Sequence, residues 1–206
     1  GKKDFWNFEF EINKDVLVPR PDTEILVEEV LRITKQKNKL KILDVGTGSG
    51  CILLSILNEK KDFYGIGVDV SKKCLDLSTV NAKKIGVINR VKFIKSDVDN
   101  FNSGKYDLII SNPPYIKSFD IKYLEKDIVN FEPKLALDGG LEGLSKLSKV
   151  INKSSELIKL GGKLILEIGF DQKNKVKQLL KNKGFYINKI LKDYANKDRC
   201  IISTKL

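Results

Sequence analysis

The chain carries, at positions 41–50, the segment Lys41-Ile42-Leu43-Asp44-Val45-Gly46-Thr47-Gly48-Ser49-Gly50. Its first half is a short apolar run typical of a buried strand, and its second half has glycines at alternate positions. Glycines here let the backbone approach a ligand closely and leave free N–H groups at the start of a following helix. The spacing differs from the Gly-x-Gly-x-x-Gly of dinucleotide folds, and glycines in such a turn can also serve tight packing alone. The segment therefore predicts a strand, a turn that is a candidate ligand site, and a helix.

Short apolar strands alternate with helical patterns along the rest of the chain. Strands are predicted at 63–69, 91–95, 106–111 and 163–168, and helices are predicted to begin near Gly50, Ser71, Leu141 and Asp171. This alternation implies βαβ units and a mostly parallel sheet, so the predicted fold class is α/β. The final segments 185–191 and 199–204 are joined by a polar turn and predict an antiparallel hairpin added to the sheet.

The first 21 residues follow a different pattern. Alternation between Phe5 and Val18 predicts a small N-terminal β-hairpin, which the prolines of Pro19-Arg20-Pro21 end. Asp22 or Thr23 is then expected to cap a helix.

Composition bounds the class of protein. The chain has 206 residues, 41% hydrophobic and 32% charged, which suits one globular core. It has no apolar stretch of membrane-spanning length and no signal-peptide pattern, so no membrane partner is expected.

Its three cysteines predict reduced thiols and a cytoplasmic location. The absence of His excludes a Ser-His-Asp triad and His-ligated zinc, and we expect no metal. The absence of Met indicates a fragment or a processed product.

The net charge of +11 has two interpretations. A basic chain can bind nucleic acid, but only four of its 38 basic residues are Arg, the better residue for bidentate phosphate and base contacts. The lysines are spread along the whole chain. Compositional bias with solvated lysines is therefore favoured, and weak proximity to the ribosome or RNA remains the alternative.

The motif Asn112-Pro113-Pro114-Tyr115 follows the predicted strand 106–111 directly. Two prolines cannot donate to a sheet ladder, so the strand ends there in a rigid loop, at the edge where α/β sheets bind ligands. The loop offers the Asn112 amide oxygen, the Pro113 carbonyl and the aromatic face of Tyr115. Two acceptors and a stacking surface suit a planar group bearing an NH2, either a substrate amide or an exocyclic base amine.

Two acidic residues stand at the ends of neighbouring predicted strands. Asp69 is placed to accept hydrogen bonds from the ribose hydroxyls of a nucleoside, or else to cap the helix near Ser71. Asp97 is placed to accept from an adenine amine, with Val98 against the ring, or else is an ordinary turn residue.

Four elements follow one another along the chain: the glycine turn 46–50, Asp69, Asp97 and the motif 112–115. Together they resemble a class I methyltransferase that uses S-adenosylmethionine (SAM), and the resemblance covers Leu40 to the C-terminus. The resemblance implies a Rossmann-like, seven-stranded, mostly parallel sheet. It also implies S-adenosylhomocysteine as the product and no metal. The implied cofactor-binding residues are Gly46, Thr47, Gly48, Ser49, Gly50, Asp69, Asp97, Val98 and Asn112.

The N-terminal and later segments narrow the resemblance. Pro19-Arg20-Pro21-Asp22-Thr23-Glu24 resembles the Pro-Arg-Pro-Glu-Thr-Glu element of the release-factor glutamine methyltransferase (HemK/PrmC) family, with Asp22 in place of the usual Glu. The segments 132–140 and 167–169 and the pair Asp198-Arg199 also match it. In that reading, residues 1–21 are a hairpin and connector from a missing N-terminal domain, and residues 22–206 are the catalytic domain.

The resemblance implies SAM-dependent N5-methylation of the glutamine amide in the Gly-Gly-Gln motif of class 1 peptide chain release factors. Asn112 and Pro113 would hold the amide hydrogens and Tyr115 would wall its plane, which makes these three the candidate catalytic residues. Pro114 and Arg20 are further candidates for substrate binding. For Arg20, a surface ion pair is an equal alternative. No general base is assigned.

Two other functions are compatible with parts of the sequence. An amino-methyltransferase acting on exocyclic adenine amines of DNA or RNA would also use Asn-Pro-Pro-Tyr, but it would not explain the Pro-Arg-Pro element, and no target-recognition domain is evident. A non-catalytic SAM-binding scaffold would be expected to lose Asn112 or the glycines, and the chain keeps both.

Overall fold

The computed structural model describes residues 1–206 and contains nine β-strands and seven α-helices. The strands are β1 (Lys2–Phe5), β2 (Phe8–Glu11), β3 (Lys41–Val45), β4 (Tyr64–Asp69), β5 (Val91–Lys95), β6 (Tyr106–Ser111), β7 (Ile158–Glu167), β8 (Phe185–Lys192) and β9 (Asp198–Lys205). The helices are α1 (Glu24–Ile33), α2 (Cys51–Glu59), α3 (Lys72–Ile85), α4 (Lys126–Phe131), α5 (Lys134–Leu137), α6 (Ser145–Leu157) and α7 (Lys173–Asn182). None of these helices combines the length and apolar character that crossing a membrane requires.

Seven strands form one sheet in the order β5-β4-β3-β6-β7-β9-β8. The first five are parallel, and β9 runs antiparallel to both β7 and β8. This confirms the predicted α/β architecture with its C-terminal antiparallel hairpin. The chain leaves β3 in one direction to form β4 and β5, then crosses to the other side to form β6. That reversal opens a crevice at the carboxyl ends of β3 and β6.

Each face of the sheet is covered by a hydrophobic cluster. Alternate residues of β3 point to opposite faces, so Ile42 joins a cluster with α1, α2 and the N-terminal hairpin, whereas Leu43 joins a cluster with α6 and α7. Burial on both faces explains why the central strands are almost continuously apolar. The two clusters thus cover both faces of the sheet that carries the strand ends.

The N-terminal hairpin lies earlier in the sequence than predicted. β1 pairs with β2 through Lys2↔Glu11 and Phe5↔Phe8, whereas residues 12–20 are an irregular connection. The predicted N-terminal hairpin is therefore confirmed, but its predicted extent, 5–18, was wrong. The alternating segment from Phe8 forms only the second strand. The first strand, β1, has no alternating sequence pattern; it is recognised by its backbone pairing with β2 and by the burial of Phe5.

The hairpin is joined to the rest of the molecule by hydrogen bonds as well as by packing. The Trp6 backbone N–H donates to the Glu24 carboxylate over 2.8 Å. The buried Asn81 amide of α3 accepts from the Glu11 N–H (2.8 Å) and donates to the Ser49 carbonyl (2.9 Å). One side chain thus connects β2 with the glycine turn that follows β3.

Replacing Phe10 by Ala tests whether the hairpin is part of the core. Phe10 is fully buried, so we expect the free energy of unfolding to fall by about 3 kcal/mol or more, measured by urea denaturation. Phe119→Ala, at an exposed position, is the matched control and should change it by less than about 0.5 kcal/mol. Equal effects of the two substitutions would contradict the packing of the hairpin.

Candidate active site

The carboxyl ends of β3, β4, β5 and β6 open into one cavity of about 310 Å³, here called the central cavity. Its floor is made of the strand-end segments 45–49, 68–71, 96–98 and 111–114. Further walls come from the connection after β2, including Leu17 and Arg20, and from α5 and α6. The size is typical of a site for a small organic molecule.

Most residues predicted to form the site lie together at this cavity. Those in its lining are Arg20, Gly46, Thr47, Gly48, Ser49, Asp69, Asp97, Val98, Asn112, Pro113 and Pro114. Gly50 and Tyr115 are not in the lining. The clustering of residues from positions 20 to 114 follows from the parallel register of the sheet, since it places the strand ends side by side.

The glycine turn presents bare backbone to the cavity. Gly46 and Gly48 have positive φ values of 74° and 57°, which glycine adopts without steric cost. A Cβ built at either position would meet no atom within 4 Å, so the turn faces open space. The Gly48 N–H donates to the Asp69 carboxylate over 3.0 Å, which ties the turn to the end of β4.

Gly50 has a packing role and lies outside the lining of the central cavity, so its predicted contact with a cofactor stays a prediction. It precedes α2 with φ 82°, and a Cβ there would come within 2.9 Å of Leu54 Cδ1 and 3.3 Å of Ser78 Cβ. The third glycine therefore allows α2 and α3 to approach each other, while the first two face the cavity.

The two strand-end acids, Asp69 and Asp97, accept hydrogen bonds from backbone groups and also line the central cavity. Asp69 accepts from the N–H groups of Gly48 (3.0 Å) and Ser71 (2.9 Å), and Asp97 accepts from the Asp99 N–H (3.0 Å). A carboxylate has about four lone-pair directions, so each keeps capacity to accept from a ligand. Burial raises the pKa of Asp69 above its usual range. Asp69 is not the cap of α3, because Ser71 occupies the N-cap and accepts from the Cys74 N–H. The ligand-binding role of both acids stays a prediction.

Asp44, at the end of β3, is a buried acid beneath the glycine turn. One carboxylate oxygen accepts from the Thr47 hydroxyl over 2.7 Å, and the other has no hydrogen-bond partner. Burial, with a smaller contribution from the charge of Asp69, raises the pKa of Asp44 to about 7. The site therefore contains a carboxyl group that changes charge near neutral pH.

Hydrogen bonds from neighbouring elements hold the Asn-Pro-Pro loop in place. Ser111 donates to the Val45 carbonyl over 2.6 Å, which joins the ends of β6 and β3. The Asn112 amide nitrogen donates to the Thr23 hydroxyl over 3.2 Å, and its oxygen accepts no hydrogen bond within the chain. The buried Gln172 donates to the Tyr115 carbonyl over 2.9 Å. The Pro113 carbonyl also accepts no hydrogen bond within the chain, so the loop offers two free acceptors.

Tyr115 lies outside the lining of the central cavity, and its role as an aromatic wall for a substrate amide stays a prediction. Its hydroxyl lies 3.1 Å from Glu167 Oε1 and 3.2 Å from Arg199 Nη1, and the Arg199 guanidinium sits 5.9 Å from the ring centre. Burial raises the pKa of the Tyr115 phenol well above its usual range. Tyr115 thus connects Arg199 with a buried carboxylate.

Arg20 lines the cavity and forms an ion pair with Glu132. The Glu132 side chain is only 5% exposed, so this pair is not a surface contact. Because the Arg20 side chain is 39% exposed, it also remains accessible from the cavity. The ion pair is therefore present but buried on the Glu132 side, and the contact of Arg20 with a substrate stays a prediction.

Sequence comparison assigns the chain to a family. It is 36% identical over 206 residues to the release factor glutamine methyltransferase of Caulobacter vibrioides, and the alignment covers 100% of this chain and 71% of that protein. The chain belongs to the release factor glutamine methyltransferase family. Residues 21–189 also match the family described as Methyltransferase small domain.

Solved structures confirm the class I methyltransferase fold. The ribosomal protein L11 methylase of Lactobacillus delbrueckii subsp. bulgaricus has a TM-score of 0.68 at 18% identity, covering 93% of this chain and 81% of that one. The magnesium protoporphyrin IX methyltransferase (ChlM) of Synechocystis PCC 6803, determined with bound SAM, has a TM-score of 0.63 at 17% identity. It covers 90% of this chain and 82% of that one.

Within this methyltransferase, three polar residues near the site were not predicted: Asp44, Thr23 and Glu167. Asp44 stood inside the glycine segment, but its burial and its unpartnered oxygen follow only from packing. Thr23 was expected as a helix cap. It does occupy the N-cap of α1, yet its hydroxyl donates to Glu167 over 2.7 Å and caps nothing.

Asp44 makes stability depend on pH in a defined direction. Its folded-state pKa of about 7 lies above the unfolded value of about 3.9, so the folded state holds the extra proton between these values. This contribution therefore lowers the free energy of unfolding as pH rises from about 4 to 7. Asp44→Asn carries no charge, so its stability relative to the original protein should increase by about 1.4 kcal/mol per pH unit in that range. Urea denaturation at several pH values measures this, and a constant difference would contradict the buried-acid assignment.

Proposed function

We propose that this protein transfers a methyl group from SAM to the side-chain amide nitrogen of a glutamine in a peptide chain release factor. The target would be the Gly-Gly-Gln motif of class 1 factors, and the location would be the cytoplasm. The observation that carries the proposal is the shared cavity. The glycine turn and the two strand-end acids lie in the same space as the free acceptors of Asn112 and Pro113.

The residues of the cavity fit SAM. Gly46 and Gly48 leave backbone space beside N–H groups near the start of α2, and Asp69 suits the ribose hydroxyls. Asp97 and Val98 suit the adenine amine and ring. Bound SAM supplies a methyl group that is electrophilic because it is attached to a positive sulfonium. No metal has a role in this proposal.

The Asn-Pro-Pro loop suits a primary amide. An amide nitrogen is a poor nucleophile because its lone pair is delocalised into the carbonyl, so the enzyme must supply alignment and polarisation. Asn112 Oδ1 and the Pro113 carbonyl each accept one amide hydrogen, which turns the nitrogen lone pair toward the methyl group. Accepting these hydrogens also increases electron density on the nitrogen. No general base is needed at the start, since the nitrogen becomes strongly acidic once methylated.

Labelled SAM offered with a release factor, and separately with nucleic acid, tests the function. We expect label on the glutamine of the Gly-Gly-Gln motif, located by mass spectrometry, and none on a release factor whose glutamine is replaced by Ala. Label on nucleic acid alone would assign the site to an exocyclic amine. SAM binding without transfer to either substrate would indicate a scaffold.

Two substitutions should distinguish the part of the cavity that holds the substrate amide from the part that holds the nucleoside of SAM. Asn112→Ala removes an acceptor for the substrate amide, so kcat should fall by about 100-fold or more while the Kd for SAM stays nearly constant. Asp69→Ala removes a carboxylate from the nucleoside side, so the Kd for SAM should rise by at least about tenfold. Isothermal titration and steady-state kinetics measure both. Asn89→Ala, at an exposed position, is the control. Near-normal turnover of Asn112→Ala would refute the amide-holding role.

A further inference from the structure

We propose that Glu167 is a positioning residue that, through the Thr23 hydroxyl, sets the orientation of the Asn112 amide. This inference rests on the proposed function, because the orientation determines which atom of Asn112 meets the substrate. Glu167 ends β7 and lies outside the lining of the central cavity. It acts on the reaction only through its neighbours.

The direction of each hydrogen bond follows from the buried carboxylate. Glu167 is 2% exposed and lies 2.7 Å from Thr23 Oγ1. An ionised carboxylate can only accept, so the single hydrogen of the Thr23 hydroxyl points to Glu167. The Thr23 oxygen can then only accept from Asn112, 3.2 Å away. The donor at that position is the Asn112 Nδ2 group.

The same logic determines the other end of the network. The buried Asp193 holds Arg199 with contacts of 2.8 and 3.0 Å, and Arg199 Nη1 donates to the Tyr115 hydroxyl oxygen. The hydrogen of that hydroxyl therefore points to Glu167 Oε1. Both carboxylate oxygens are thus occupied by donors with no alternative acceptor in this network.

The orientation of Asn112 has a direct consequence for the substrate. With Nδ2 toward Thr23, Oδ1 is turned away from Thr23 and remains free to accept an amide hydrogen. A flipped Asn112 would put its oxygen against a Thr23 oxygen whose hydrogen is already used, and it would present a donor to the donors of the substrate amide. Glu167 therefore excludes the unproductive orientation without touching the substrate.

Protonation of Glu167 removes this control. The groups that face it are Arg199 and Asp22, the Thr23 and Tyr115 hydroxyls, and the thiols of Cys51 and Cys200. Burial, opposed by the hydroxyl hydrogen bonds and by Arg199, raises the pKa of Glu167 to about 6. A protonated Glu167 is itself a donor, so either Thr23 or Tyr115 loses its acceptor. If Thr23 loses it, the Thr23 hydrogen becomes available to the oxygen of a flipped Asn112.

Side-chain NMR tests the network without any turnover. The Asn112 NH2 signal, identified by its loss in Asn112→Ala, should shift with pH with a midpoint near 6 when Glu167 is present. The midpoint should be absent in Glu167→Gln, whose amide does not titrate. Both proteins carry Asp44→Asn in this measurement, because Asp44 also has a pKa near neutral pH. Absence of the transition with Glu167 present, or its persistence in Glu167→Gln, would then overturn the inference whatever the activity.

Kinetics with SAM and a release factor provide the second test. Glu167→Gln and Thr23→Val should each lower kcat by roughly 10- to 100-fold with little change in the Kd for SAM, and the double variant should be no worse than the poorer single variant. Thr23→Ser keeps the hydroxyl and should retain most activity. The acid limb of the kcat–pH profile should disappear in Glu167→Gln.

Two buried positions away from the cavity serve as controls. Glu29→Gln removes a buried carboxylate paired with Arg32, and Thr34→Val removes a buried hydroxyl bonded to Val30. Both should lower thermal stability with unchanged kcat. Equal kcat losses in these controls, or additive losses in the double variant, would reduce Glu167 to a structural residue. An unmodified protein with the NMR transition but no release-factor methylation would instead refute the proposed function and leave the network intact.

Discussion

Parallel pairing in register is the constraint on which the site depends. β3, β4, β5 and β6 run in the same direction, and their pairing places Val45 beside Val68 and Asp69 beside Lys95. Four loops that are distant in sequence therefore leave the sheet at one edge. The chain adds β4 and β5 on one side of β3 and β6 on the other. The loops that follow β3 and β6 therefore lead to opposite faces of the sheet, which leaves a cavity between them. A shift of one residue in any of these pairs would turn the strand-end side chains to the opposite face.

The strand ends were predictable because local sequence determines them. Apolar runs bounded by glycine or proline mark β3 and β6. The acid that ends β4 and the acid that follows β5 needed only the assumption of a parallel sheet. The packing contacts of Gly50 and Tyr115 were not predictable in this way. The contact at Gly50 depends on how closely α2 and α3 approach each other, and the position of Tyr115 depends on the contact of its hydroxyl with Glu167.

Glu167 shows why the rest of the site does not follow from local sequence. Its partner Thr23 is 144 positions away, and the two meet because α1 packs against β7. A carboxylate at a strand end and a threonine before a helix each have ordinary local explanations. The outer walls of the cavity are a similar case, since the irregular connection after β2 and the short helix α5 carry little periodic signal.

The buried acid beneath the glycine turn has a thermodynamic consequence for cofactor uptake. With a pKa of about 7, roughly half of the Asp44 side chains carry a proton at neutral pH. A cationic ligand bound beside the turn favours the ionised carboxylate and so lowers that pKa. Binding of such a ligand is therefore coupled to the release of a fraction of a proton to the buffer. Its affinity increases with pH through this range, because the empty site must first give up the proton that the occupied site no longer holds.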